Sequence, residues 1–134
     1  MPRLSCWFVR ASLVYLALGF TFGSLLLSNK AFPFYPAMWS LLPAHMEFLL
    51  VGWTVQLTLG VAYWILPRFG QGPPRGNEAL ARSTFLLLNL GVCLVIAPAV
   101  VSLSWLVPVG RLFEACAALI FLIAVWRRVK PFQT

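Results

Sequence analysis

One histidine, His45, stands at the head of a long apolar stretch, HMEFLLVGWTVQLTLGVAYWILPR, with no charge between Glu47 and Arg68. An imidazole there has two uses. It is a hydrated polar group at a membrane interface, or it lends a neutral nitrogen to a buried metal, as in haem proteins. On a helix turning roughly 100° per residue, His45, Phe48, Gly52, Gln56, Leu59 and Tyr63 share one stripe. Gly52 and Gly60 remove bulk beside that stripe, so a flat group or a second helix can reach the backbone. Gln56 is a polar side chain at mid-membrane depth and needs a partner there. On composition alone the packing reading stands first, because small residues are common at helix contacts.

The elements that must position these residues follow from composition. Of 134 residues, 61% are hydrophobic and 10% charged, with mean hydropathy +0.89. A soluble domain is about a quarter charged, so the solvent for this chain is lipid. Four apolar runs, about 11–28, 45–66, 84–106 and 112–127, approach the ~20 residues a helix needs to cross the hydrocarbon. Helix is the only open-ended element that satisfies its own backbone in lipid. The expected fold is therefore all-α: one four-helix transmembrane domain over residues 1–134. The first run lacks a small-x-small cleavage site and reads as a retained span.

Lys30 to Ala44 carries Pro33, Pro36 and Pro43 among Phe32, Phe34, Tyr35 and Trp39, which predicts a segment lying along the interface. Phe69 to Ala81 is a polar turn, and Val107-Pro108-Val109-Gly110 reads as a hairpin between the last two spans. Pro98 predicts a kink in the third span and Ser83 a cap at its start. Asn89 reads as a helix–helix contact and Glu114 as an interfacial acid. Cys6, Cys93 and Cys116 form no CxxC pair, which argues against a disulfide framework or a thiolate metal site.

Eight basic residues, Arg3, Arg10, Arg68, Arg75, Arg82, Arg127, Arg128 and Lys130, fall on one side of a four-span chain. Only Lys30 and Arg111 fall on the other. That bias predicts both termini in the cytoplasm, a multi-pass protein of the inner (cytoplasmic) membrane, and His45 near the outer leaflet. Trp7, Trp64 and Trp126 mark the inner interface, Trp39 and Trp105 the outer. The net charge of +7 reports orientation and gives no sign of nucleic-acid binding, since the basic residues form no patch with interleaved aromatics.

The stretch from His45 to Arg68 resembles the second transmembrane helix of subunit I of the haem-copper oxidase superfamily. It is most similar to the short four-span proteins related to that subunit. The likeness rests on His45, on Gly52-Trp53 and on Ala62-Tyr63-Trp64-Ile65-Leu66-Pro67-Arg68, about 24 of the 134 residues. The resemblance implies that His45 ligates a low-spin haem near the outer face. The haem would be b-type, with an a-type haem as the alternative. The superfamily's oxidases need further histidines, and this chain has none, so it cannot build a dioxygen-reducing centre from its own residues. An electron-transfer cytochrome follows from the resemblance, with Phe48, Gly52 and Gln56 beside the ring and Arg111 toward the propionates.

A single imidazole leaves one axial position open. A second copy's His45 in a homodimer fills it most naturally. Met38 or Met46 is a thioether alternative, and an open site would give a gas-binding or carrier protein. Arg111 also stands three residues before Glu114, so an ion pair within the helix competes for it. Quinone or a larger respiratory complex is the expected redox partner. The contrasting expectation is a cofactor-free accessory or scaffold subunit of such a complex.

Overall fold

The computed structural model describes residues 1–69, 75–101 and 103–129. Four helices are long and apolar enough to cross a membrane: α1 (Arg3–Ala31), α2 (Pro36–Ile65), α3 (Glu78–Ala99) and α4 (Leu106–Arg128). The chain is an all-helical, multi-pass membrane bundle. Many large apolar side chains face outward, among them Phe20, Leu27, Leu86, Leu112 and Ile123, as lipid rather than water demands.

The helices alternate in direction, so the start of α1 and the end of α4 meet at one end of the bundle. Leu4 and Phe8 of α1, Tyr63 of α2, Ala81 of α3, and Phe121 and Val125 of α4 form one core cluster there. At the other end Ala44, Phe48 and Val92 form a second, with Tyr15, Phe22, Val51 and Ile96 packed against it. The connection after α1 keeps Phe32, Phe34, Tyr35 and Trp39 exposed, in keeping with a segment laid along the interface. Asn29 holds it by accepting from the amides of Phe34 (3.2 Å) and Tyr35 (3.0 Å).

Several boundaries differ from expectation, each for a local reason. The third span begins at Glu78 rather than near 84, and its cap is Asn77, whose Oδ1 accepts from the Ala79 amide at 3.0 Å. Ser83 is inside the helix and donates back to the Ala79 carbonyl at 3.0 Å. Glu78 and Arg82 pair at 2.9 Å and carry this first turn beyond the apolar run. At the other end Pro98 does not kink the span. The α-helical part stops at Ile96, and Ala97–Ala99 is a closing 3-10 turn.

The expected hairpin at Val107–Gly110 is the opening of α4, which starts at Leu106. A proline in a first helical turn loses nothing, because that amide has no intrahelical acceptor. Gly110 is consequently a contact residue. A Cβ on Gly110 would lie 2.8 Å from the Gly91 carbonyl oxygen, and one on Gly91 would lie 2.9 Å from that of Gly110. The two helices cross backbone to backbone at this point. Part of the expected polar turn, residues 70–74, lies outside the described residues.

The second span is irregular. It opens with a 3-10 turn, Pro36–Leu41, runs as α-helix over Leu42–Glu47, widens into a π-helix over Phe48–Val55, and returns to α over Gln56–Ile65. Thr54 Oγ1 donates to the Leu49 carbonyl five residues back, at 2.8 Å, in step with the widened turn. Its buried line accordingly advances by fours, through Phe48, Gly52, Gln56 and Gly60.

Candidate functional site

Helix α1 prepares a place for the imidazole. Gly19 and Gly23 lie on the face toward α2, and the Gly-x-x-x-Gly spacing keeps both there. A Cβ on Gly23 would sit 2.6 Å from Cε1 of His45, and one on Gly19 would sit 2.5 Å from Leu49. The half-buried His45 ring therefore rests on bare backbone, with Nδ1 2.8 Å from the carbonyl oxygen of Gly19. A carbonyl only accepts, so Nδ1 carries the proton, and the lone pair of the neutral ring is on Nε2. That nitrogen has no hydrogen bond among the described residues and is not one of their fully buried unpaired atoms.

The other expected contacts divide between packing and a second cluster. Phe48 is buried, stacked on Tyr15 with ring centroids 5.6 Å apart and edge-on to Phe22 at 5.4 Å. The space above Gly52 is filled by Tyr15, whose ring lies 2.6 Å from where a Cβ would stand, and Phe8 fills the space above Gly60 in the same way. The Tyr15 hydroxyl donates to Asn89 Oδ1 at 2.9 Å, so Asn89 is the helix–helix contact expected of it. Gln56 is fully buried, and neither end of its amide finds a partner among the described residues. A haem ring inside the bundle does not fit this stripe, because α1 already occupies the room the glycines leave.

Arg111 does not join His45. His45 and Glu47 are two residues apart on one helical turn and leave it on nearly opposite sides. His45 meets α1 and Glu47 meets α4. Arg111 Nη2 donates to Glu47 Oε2 at 2.6 Å, and Nη1 donates to Glu114 Oε2 at 2.7 Å. The expected pair with Glu114 is present, and Glu47 is the partner that spacing within one helix cannot reveal. The Glu47 side chain is only 2% exposed and that of Glu114 11%, so Glu114 is more enclosed than an interfacial acid. Met46 lines the cleft beside Glu47 and Arg111, away from the histidine. Among the described residues no three His, Cys, Asp or Glu side chains gather as a metal-binding group.

Comparison with protein-family models, with curated proteins and with solved structures finds no match.

The bare Gln56 amide has a measurable consequence. A buried polar group without a partner costs about 1–3 kcal/mol, and leucine is close to glutamine in volume. Gln56→Leu should raise the unfolding midpoint in detergent. A fall in the midpoint would mean that the amide is satisfied in the membrane by a group outside this chain.

Proposed function

We propose that the chain is a small membrane cytochrome that binds haem at the surface of the bundle through Nε2 of His45. The observation that carries the reading is the 2.8 Å contact of Nδ1 with the Gly19 carbonyl. A backbone acceptor on one ring nitrogen fixes the tautomer and orientation that leave the other free to ligate, the usual arrangement behind a metal-bound histidine. Gly23 supports the same role by leaving the ring its resting place. With room inside the bundle taken, the ring faces outward and the second ligand comes from His45 of a second copy. Haem held by two imidazoles supplies one-electron transfer. Most of the basic residues lie toward the end where α1 starts and α4 finishes, which favours that end as cytoplasmic in an inner membrane.

The visible spectrum of detergent-purified protein tests this. Paired α and β bands are expected, with one haem per two chains, and both should vanish in His45→Ala while the helical circular dichroism persists. A protein made with ample haem that remains colourless would refute the assignment. A second reading, a cofactor-free accessory subunit, is favoured by the closed seam in which Tyr15 and Phe8 fill Gly52 and Gly60. It predicts a colourless protein that copurifies with larger membrane partners.

A further inference from the structure

Glu47 of α2 and Glu114 of α4 meet at one guanidinium, each through its Oε2. Arg111 donates to neither of the second oxygens. Oε1 of Glu47 and Oε1 of Glu114 are both fully buried and have no donor among the described residues. Their burial keeps bulk water from them as well. A buried carboxyl oxygen without a donor calls for an explanation within the site.

The charge count gives one. Two acids share a single guanidinium, which leaves one negative charge in excess, and nothing nearby balances it. His45 leaves α2 on the opposite side, α3 presents Gly91 and Val95 here, and the charged groups that act on Glu47 are Glu114 and Arg111 alone. The rest of the space between α2 and α4 is lined by apolar side chains, Leu42, Met46, Leu50 and Val107 among them. An uncompensated carboxylate in such surroundings takes up a proton rather than remain charged. The two carboxyls are within hydrogen-bonding reach of each other, so an O–H on one finds its acceptor on the other. Carboxyls this close cannot both ionise without a large penalty.

We propose that Glu47 and Glu114 form a proton-binding site, holding one proton between them, and that this proton latches α2 to α4. With it the three side chains sum to zero charge, and each helix supplies one half of an O–H···O bond. Without it two carboxylates face each other across the joint and only Arg111 holds them. The ligand is the proton itself, drawn from water at the end of the bundle that carries His45. The site does not depend on haem or on the imidazole.

The chain has three acidic side chains, and the third, Glu78, is exposed and paired with Arg82. Infrared spectra of the full chain in detergent near neutral pH can therefore assign the proton. The C=O band of a protonated carboxylic acid is expected, shifted in deuterium oxide. It should vanish in Glu47→Gln and in Glu114→Gln, and persist in Glu78→Gln. Glutamine puts a fixed N–H donor in place of the proton and keeps the net charge of the cluster at zero, so the latch stays closed in both variants. Unfolding gives a second readout. Above about pH 4.3, where an ordinary glutamate is ionised, the unfolded chain releases the proton that the folded chain keeps. The wild-type folding constant should therefore fall with rising pH, by about tenfold more per pH unit than that of either glutamine variant, until the folded pair itself gives up the proton. A spectrum with no protonated-acid band, a band that survives either substitution at the pair, or the same pH dependence in wild type and both variants would overturn the proposal.

Discussion

Arg128→Met should destabilise the bundle by about 2–4 kcal/mol, whereas Arg127→Ala, one residue away, should change it by less than about 0.5 kcal/mol. Arg127 is exposed, and Arg128 is 1% exposed at the end of α4. Its Nε donates to the Pro67 carbonyl at 3.0 Å, and Nη2 donates to those of Tyr63 at 2.9 Å and Leu66 at 2.7 Å. These are carbonyls that a helix end leaves without amide partners. The guanidinium also sits 5.1 Å from the Tyr63 ring centroid. One side chain from the last span thus closes the C-terminal end of the second, where a cation also suits the helix dipole. Methionine keeps the apolar stem but leaves three acceptors bare. Lysine restores a charge without the planar fork and should recover less than half of the loss. Reversible unfolding in mixed micelles reads both variants. If Arg128→Met unfolds with the wild type, the capping account is wrong.

The second large effect lies at the crossing of α3 and α4. Gly91→Ala and Gly110→Ala should each cost about 1–3 kcal/mol, because the added methyl meets a backbone carbonyl that cannot rotate away. A Cβ on Gly91 also lies 2.7 Å from Cγ of Glu114 and one on Gly110 lies 2.7 Å from Cγ2 of Val95. Either methyl separates the same two helices, so once one is present the second finds the contact already open. The double variant should therefore lose clearly less than the sum of the singles, by about 0.5 kcal/mol or more. Strict additivity in a double-mutant cycle would show that the glycines do not face each other.

Gly110 also shows where sequence reasoning stops. Val-Pro-Val-Gly is written with turn residues, yet proline suits the opening of a helix equally well, and only the partner Gly91, nineteen positions earlier, distinguishes the two. The four apolar runs were legible because lipid leaves helices as the only economical element. The inward stripe from Phe48 to Tyr63 was legible from its spacing, and Asn89 from its depth. Gly19 and Gly23 carry a plain Gly-x-x-x-Gly spacing, but nothing in the sequence says that this face of α1 lies against the histidine's helix rather than against lipid. Glu47 beside Arg111 and Arg128 beneath α2 were out of reach. Both pair residues more than sixty positions apart, and a charge near a span end reads the same whether it faces water or caps a neighbour.

The widened turn in α2 sets how this rod meets its neighbours. In a regular α-helix each residue advances the face by about 100°. Were Phe48–Val55 wound that way, the His45 end of the rod would be out of phase with the Tyr63 end. A phase that kept Gly60 under Phe8 would carry Glu47 off Arg111 and the imidazole off its glycine bed. The slack of a few loosened bonds works like a differential gear, letting one rigid shaft mesh with different wheels at its two ends.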